Sequence, residues 1–197
     1  MSLRFSYTLL APFYDLLIRP AFDAVRKSRL TPFPTGGRVL LDGIGTGLDL
    51  AHLPAGNSYV GLDITAAMLR KSKQRCGAHE IDLVQGDAMC LPFADASFDH
   101  ALLHLILAVV PQPAKCLAEA ARVLKPGGSV WVLDKFLRPG EFAPLRRVLN
   151  IFASRVATRT DVVFEEALAQ VPTLKLLSDE PLAAGGWFRG IKLVKVA

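Results

Sequence analysis

Short apolar stretches alternate along the chain with amphipathic segments whose apolar residues recur at helical spacing. From residue 38 onward the two patterns follow one another, which is typical of parallel strands joined by crossover helices. The stretch from Phe98 to Leu103 is apolar at four of its six positions, and we expect it to be a strand buried on both faces. The pattern therefore predicts an α/β fold.

The predicted elements cover most of the chain. Strands are expected at Arg38–Asp42, Ser58–Leu62, Ile81–Gln85, Phe98–Leu103, Ser129–Asp134, Thr173–Asp179 and Phe188–Val196. Helices are expected at Leu48–Leu53, Thr65–Arg75, Leu117–Leu124, Phe142–Ala157 and Glu165–Gln170. Pro126 and the two glycines after it are expected to form a loop that ends the third of these helices. Residues 1–35 are expected to form an N-terminal helical extension, and residues 36–197 a single domain.

Composition limits the classes of protein to consider. With 51% hydrophobic residues, the 197-residue chain has enough apolar mass for the core of one domain. Its longest apolar stretch, Ala101 to Val110, contains His104 and is far shorter than the ~20 residues of a membrane-spanning helix. The net charge of +5 favours anionic partners. The three cysteines have no CxxC spacing and no signal-peptide pattern precedes them, so we predict a cytoplasmic protein.

A glycine-rich turn follows the first predicted strand. Gly43, Gly45 and Gly47 have the spacing G-x-G-x-G, and a backbone without side chains allows a ligand to approach closely. A nicotinamide-binding turn would have G-x-G-x-x-G, with a third glycine where this chain has Leu48. Open α/β sheets bind cofactors in the crevice at this edge. The alternative is a tight connection that binds nothing.

Two aspartates follow the next two strands. Asp63 comes directly after the second strand, where a carboxylate accepts hydrogen bonds from ribose hydroxyls, although it could instead cap the following helix. Asp87 follows the third strand, where its carboxylate can accept from an adenine amine while the Ala88 amide donates to the ring. The alternative for Asp87 is a turn aspartate.

Four segments in order resemble the class I S-adenosylmethionine-dependent methyltransferases, especially the branch of quinone-biosynthesis and phospholipid enzymes: RVLLDGIGTG, YVGLDITAAMLRKSKQR, GDAMCLPFADASFD and EAARVLKPGGSVWVL. The likeness covers roughly residues 36 to 134. It implies a Rossmann-like, seven-stranded, mostly parallel sheet with helices on both faces and an antiparallel C-terminal strand. It also implies that the three glycines line the methionine and ribose, that Asp63 with Ile64 holds the ribose, and that Asp87 with Ala88 reads the adenine of S-adenosylmethionine.

The chain departs from this family at one position. Family members usually carry an acid two positions before the first glycine, where this chain has Leu41, and the carboxylate stands at Asp42 instead. Because side chains alternate across a strand, we expect Asp42 to point to the opposite face unless a bulge corrects it. Cofactor binding is then expected to be weaker, or a neighbouring residue to replace that contact.

Both ends of the chain favour a particular acceptor. The segments YTLLAPFYDLLIRPAFDAVRKSRL and LLSDEPLAAGGWFRGIKLVKV resemble the bacterial phosphatidylethanolamine N-methyltransferases. This resemblance implies an N-terminal helix that covers the cofactor and touches lipid, with Tyr7, Phe13 and Tyr14 as candidate contacts; alternatively these aromatics pack on the sheet. Arginines alternate with large apolar residues over Phe142–Ala157, as in helices that lie on an anionic membrane and as in ordinary amphipathic helices.

Methyl transfer requires alignment and exclusion of water, because the cofactor supplies the reactivity. For an amine acceptor, Tyr14 and His104 are the candidate catalytic residues that would take its proton, although a histidine in an apolar run is often structural. The other histidines and the cysteines lack metal-ligand spacing, so no metal site is predicted.

We predict an S-adenosylmethionine-dependent methyltransferase that acts on a phosphatidylethanolamine-like amine at the inner membrane surface. The alternatives are carbon or oxygen methylation of a quinone or another small hydrophobic molecule, and a non-catalytic binding module with the same fold. The expected partners are a small-molecule or lipid acceptor and an anionic membrane. No nucleic acid is expected, because the sequence has no concentrated basic groove with exposed aromatics.

Overall fold

Seven strands form one sheet in the computed structural model, which describes residues 22–77, 79–140 and 161–196. The strands are β1 (Arg38–Asp42), β2 (Ser58–Asp63), β3 (Ile81–Gln85), β4 (Phe98–His104), β5 (Leu124–Lys135), β6 (Leu174–Ala183) and β7 (Phe188–Lys195). Their order in space is β3-β2-β1-β4-β5-β7-β6. Strands β1 to β5 pair in parallel, whereas β7 is antiparallel to β5 and β6. The predicted mostly parallel, Rossmann-like sheet with an antiparallel C-terminal strand is confirmed.

Helices cover both faces of this sheet. They are α1 (residues 22–30), α2 (Ala66–Lys73), α3 (Pro113–Val123) and α4 (Phe164–Leu168), with short 3-10 helices at Leu48–His52 and Ala184–Gly186. One core joins the sheet to α3 and α4, and the other joins its opposite face to α1 and the first 3-10 helix. Among the described residues, no helix combines the length and the apolar character that crossing a bilayer requires.

Side-chain alternation along β1 assigns its residues to the two cores. Leu41 packs in the core that contains α1, whereas Leu40 packs in the core that contains α3. Asp42 lies on the α3 side, where it contacts Cys116. The pairing of β1 with β2 runs from Arg38 to Asp42 without a shift in register, so no bulge returns this carboxylate to the Leu41 face.

The connection between α3 and β5 differs from the prediction. Helix α3 begins at Pro113, earlier than the predicted Leu117, because proline at the first turn of a helix loses no hydrogen bond. The predicted loop at Pro126 is wrong as a boundary, since β5 already begins at Leu124. The glycines after Pro126 lie within β5 and not in a loop. The pairing of β5 with β4 is irregular at this point, and Gly127 has a left-handed φ of 79°.

Two predicted elements fall on parts of the chain outside the described residues. These are most of the N-terminal extension, including Tyr7, Phe13 and Tyr14, and the helix expected at Phe142–Ala157. Of the extension, helix α1 is described. It packs against the sheet through Leu30, so this part of the extension contributes to the core of the domain.

Candidate active site

A cleft opens at the carboxyl ends of four neighbouring parallel strands. Its lining includes Gly43 after β1, Asp63 at the end of β2, Asp87 after β3 and His104 at the end of β4. The order of the strands places these groups along the edge of the sheet in the sequence Asp87, Asp63, glycine turn, His104. Because neighbouring strands lie ~4.8 Å apart, the row spans about 14 Å. The cleft therefore offers different chemistry at its two ends.

The glycine turn brings bare backbone to the cleft. Gly43, Gly45 and Gly47 have φ angles of 72°, 58° and 80°, a region that side chains disfavour. A Cβ on Gly43 would lie 2.7 Å from the side chain of Ile106, whereas a Cβ on Gly45 would meet only the Gly43 carbonyl oxygen, at 3.9 Å. Gly45 therefore borders open space that a ligand can enter.

Gly47 has a different environment from the other two glycines. It is not among the described residues that line the cleft. A Cβ at this position would lie 2.9 Å from Leu50 and 3.0 Å from Ser72, so packing and φ together account for the glycine. Its predicted role as a cofactor contact stays a prediction.

Asp63 is held in place by the two loops that flank it. One carboxylate oxygen accepts a hydrogen bond from the Gly45 amide at 3.1 Å, and the other accepts from the amide and hydroxyl of Thr65 at 2.8 and 2.6 Å. Burial raises the pKa of Asp63 above its ordinary value, although these hydrogen bonds favour the ionised form. The residue that caps α2 is Thr65 rather than Asp63. Asp63 thus presents a fixed acceptor group beside the glycine turn.

Asp87 forms a tight turn at the other end of the cleft. Its carboxylate accepts a hydrogen bond from the Met89 amide at 2.9 Å, and its backbone carbonyl accepts from the Cys90 amide at 2.9 Å. Ala88, inside this turn, is buried and lines the cleft, as does Ile64 near Asp63. The structure thus brings together seven of the predicted site residues, namely Gly43, Gly45, Asp63, Ile64, Asp87, Ala88 and His104. Tyr14 lies outside the described residues.

An ion cluster forms the wall near β4. One carboxylate oxygen of Asp49 lies 2.9 Å from Nδ1 of His104 and 3.1 Å from Nε of Arg26. All three side chains line the cleft. Burial alone would raise the pKa of Asp49, but His104 and Arg26 outweigh it and hold the pKa below its ordinary value. Sequence reasoning selected His104 and missed the other two, since no spacing pattern connects positions 26, 49 and 104.

Asp42 lies behind the glycine turn and is not among the described residues that line the cleft. One of its oxygens accepts a hydrogen bond from the Cys116 thiol at 3.6 Å, and the other is buried with no hydrogen-bond partner within the described parts of the chain. Burial raises its pKa to about 7. No group of His, Cys, Asp or Glu in those parts could hold a metal ion.

The chain is similar in sequence to known proteins. Residues 41–132 match a family described as a methyltransferase domain. The chain is 32% identical over 158 residues to a phosphatidylethanolamine N-methyltransferase of Cereibacter sphaeroides, covering 78% of this chain and 77% of that protein. It is 41% identical over 121 residues to a demethylmenaquinone methyltransferase of Renibacterium salmoninarum, covering 61% of this chain and 49% of that protein.

A solved structure shows the same fold. It is an S-adenosylmethionine-dependent methyltransferase from Mesorhizobium loti, which superposes with a TM-score of 0.67 over 89% of this chain and 98% of that chain. The sequence identity between the two is 18%. The chain spans most of the length of the phospholipid enzyme but about half the length of the quinone enzyme.

Proposed function

Since this chain belongs to the S-adenosylmethionine-dependent methyltransferases, we propose that its acceptor is the amine of a phospholipid head group of the phosphatidylethanolamine type. The observation that carries this proposal is the extent of the likeness to the phospholipid enzyme, which covers 77% of that protein. The 158 aligned residues exceed the span of the matched methyltransferase domain, residues 41–132, so the likeness to the phospholipid enzyme includes segments outside that domain. The match to a methyltransferase domain and to a named methyltransferase favours an enzyme over the non-catalytic binding module that the sequence left open.

The residues of the cleft fit the cofactor along its length. Asp87 and the Ala88 amide would bind the adenine, and the Asp63 carboxylate would accept hydrogen bonds from the ribose hydroxyls. Open space beside Gly45 leaves room for the part of the molecule that follows the ribose. The row of groups, about 14 Å long from the strand spacing, suits an extended nucleoside with an amino-acid tail.

When bound, S-adenosylmethionine supplies a methyl group on a positively charged sulfur, and the protein contributes alignment and dryness. Ile106, Val109 and Val110 line the wall after β4, and their apolar side chains would keep water from the reacting atoms once the cofactor is bound. Leu105 holds this wall in position, because its amide donates to the Leu133 carbonyl at 2.7 Å while its φ is 57°. No side chain of the protein needs to act as a nucleophile.

An amine acceptor must lose a proton before its nitrogen has a lone pair to offer. We assign this step to His104. Its Nδ1 lies 2.9 Å from an oxygen of Asp49, and if that nitrogen carries the ring proton, Nε2 is the one that accepts. Asp49 would stabilise the imidazolium that forms. The proton would move from the acceptor ammonium to Nε2 of His104, which would leave the nitrogen lone pair free to accept the methyl group; the carbon–sulfur bond of the sulfonium would break as the carbon–nitrogen bond forms, leaving the thioether.

Charge supports a role at a membrane surface. The chain carries a net charge of +5, and each basic residue near an anionic leaflet contributes about 1 kcal/mol of binding. The helix and the aromatic side chains expected to touch lipid, Phe142–Ala157 and Tyr7, Phe13 and Tyr14, lie outside the described residues. We propose that the protein acts from the cytoplasmic side of the inner membrane.

A second acceptor class is a quinone precursor. The 41% identity to the demethylmenaquinone enzyme exceeds the identity to the phospholipid enzyme, although over a shorter part of the chain. Carbon methylation of a phenolic ring would use the same cofactor cleft and also requires removal of a proton. The two classes differ in the methylated product, and a direct assay separates them.

We expect the purified chain to methylate phosphatidylethanolamine in vesicles. Vesicles with and without an anionic phosphoglycerolipid are incubated with S-adenosylmethionine, and lipids are analysed by mass spectrometry for stepwise gains of one methyl group on the head group. Anionic lipid should increase the rate, because the protein is basic. A parallel reaction contains demethylmenaquinol. Methylation of the quinol without methylation of the lipid would overturn the phospholipid proposal.

Replacing His104 by asparagine is expected to lower kcat about a hundredfold at neutral pH, because the proton acceptor is lost. The loss should shrink as pH rises and more of the acceptor amine is already free. The matched control is His100→Asn on the same strand. His100 does not line the cleft, and its Nδ1 lies 2.8 Å from the hydroxyl oxygen of Ser129. The His100→Asn enzyme should keep the wild-type kcat. A His104→Asn enzyme with undiminished kcat, or a loss independent of pH, would argue against this assignment.

A further inference from the structure

We propose that Arg26 binds the carboxylate at the amino-acid end of S-adenosylmethionine, with Asp49 holding the guanidinium in position. The inference rests on the methyltransferase function and is independent of the identity of the acceptor. It assigns a specificity-determining residue to α1. The glycine turn, Asp63 and Asp87 all lie outside this helix.

Arg26 is a buried cation at the wall of the cleft. Only 4% of it is exposed, yet it lines the cleft together with Gly45 and Asp49. Its Nη1 is buried and has no hydrogen-bond partner within the described parts of the chain. Arginine keeps its charge in proteins, and an unsatisfied buried donor on a charged group is costly. An anionic ligand in the cleft would satisfy this donor.

The charges around Arg26 leave room for a second anion. Asp49 is the carboxylate paired with it, and the oxygen that lies 3.1 Å from Nε of Arg26 is the one that also lies 2.9 Å from His104. One carboxylate is thus shared between a guanidinium and an imidazole. The ring of Phe22 lies 5.9 Å from Cζ of Arg26 and adds only a weak cation–π contact.

The order of the strands indicates which end of the cofactor reaches Arg26. Asp87 follows β3 and Asp63 ends β2. In the order of strands, β4 lies next to β1, on the side of β1 away from β2 and β3. A nucleoside with its base near Asp87 and its ribose on Asp63 therefore extends its tail across β1 toward β4. Arg26 and Asp49 line the cleft with His104 of β4, so the tail ends beside them. The carboxylate is the anionic group on that tail.

A phosphodiester on a lipid acceptor carries the same charge chemistry and could also meet a guanidinium. Binding measurements without any acceptor separate the two sources. S-adenosylhomocysteine has the amino-acid tail, whereas 5′-methylthioadenosine has the same base, ribose and sulfur but lacks the carboxylate and the ammonium. The difference in affinity between these two ligands therefore isolates the tail.

The test is calorimetric titration of both ligands into the wild-type chain and into Arg26→Gln. The variant should bind S-adenosylhomocysteine about ten- to a hundredfold more weakly, as for loss of a hydrogen bond to a charged group, and should bind 5′-methylthioadenosine within about threefold of wild type. Arg26→Lys should restore part of the affinity for S-adenosylhomocysteine, because it restores the charge.

Helix α1 has other anchors, so the variant is not expected to detach it. Asp23 lies 3.0 Å from His52, and Cζ of Arg29 lies 5.4 Å from the centre of the Trp131 ring. The matched control is Arg29→Gln, which removes a buried cation from the same helix outside the cleft and should leave the ratio of the two affinities unchanged. Unfolding temperatures of all variants check the fold.

The remaining outcomes decide the matter. Equal weakening of both ligands by Arg26→Gln would make Arg26 a support for α1 only, and unchanged binding of S-adenosylhomocysteine would also overturn the inference. A variant that binds both ligands normally but loses activity on phospholipid would assign the guanidinium to the acceptor phosphate instead. Failure of the wild-type chain to bind either ligand would contradict the methyltransferase function itself, which distinguishes that failure from the others.

Discussion

Replacing Asp63 by alanine is expected to weaken binding of S-adenosylhomocysteine on the order of a thousandfold and to abolish methyl transfer. The carboxylate is the proposed acceptor for two ribose hydroxyls, and each hydrogen bond to a charged group contributes about 1.5–3 kcal/mol. Alanine also removes the connection that Asp63 makes between the Gly45 amide and Thr65, so the glycine turn loses support as well. Calorimetric titration measures the affinity.

A second variant separates the hydrogen bonds from the charge, and a third serves as the control. Asp63→Asn keeps the shape of the side chain and should lose less affinity than Asp63→Ala. Asp82→Ala removes an exposed carboxylate from the neighbouring strand β3, outside the cleft, and should bind the ligand as wild type does. If Asp63→Ala retained affinity within about threefold of wild type, the ribose would have to bind elsewhere.

Much of the sheet could be predicted because the local sequence marks where its strands end. The structure has β1 at Arg38–Asp42 and β3 at Ile81–Gln85, as predicted. Each of these has apolar residues at three of its five positions and is followed at once by a glycine, and glycine favours turns over strands. Helix α3 was harder to delimit, since Pro113 is equally compatible with a loop and with the first turn of a helix.

That the glycine turn, Asp63 and Asp87 line one cleft could be predicted for a topological reason. The glycine turn, Asp63 and Asp87 all follow parallel strands, and the carboxyl ends of such strands meet at one edge of the sheet. Arg26 belongs to a helix that precedes the sheet, and its approach to Asp49 depends on how α1 packs. No local pattern encodes that packing, so the ion cluster became visible only in three dimensions.

Alternation along β1 correctly predicted that Asp42 faces away from Leu41, but not what it would contact. Cys116 comes from α3, far away in the sequence, and a thiol is a weak donor to a carboxylate. At the position where the family resemblance places an acid, this chain has Leu41, whose apolar side chain packs in the core that contains α1. The carboxylate therefore lies in the opposite core without the hydrogen bonds that an ionised group needs.

Replacing Asp42 by asparagine is expected to remove a pH-dependent loss of stability on the order of 4 kcal/mol. Asp42 is 1% exposed, and burial raises its pKa to about 7, with further contributions from the charges of Asp63, Asp87 and Glu119. In the unfolded chain an aspartate has a pKa of about 3.9. Between these values the folded protein holds a proton that the unfolded chain has lost, so stability falls as pH rises from about 4 to 7.

Asparagine has no proton to lose in this range, so its contribution to stability does not change with pH. Urea unfolding of both proteins at several values between about pH 4 and pH 8 gives the difference in their free energies of unfolding. As pH rises, the wild type should lose stability relative to Asp42→Asn, and this change should level off above about pH 7. Asp134, also buried with a raised pKa, is present in both proteins and cancels from this difference. Asp82→Asn serves as the exposed control and should parallel wild type. Parallel curves for Asp42→Asn would mean that Asp42 is ionised in the folded protein throughout, with a hydrogen-bonded partner that stabilises its charge.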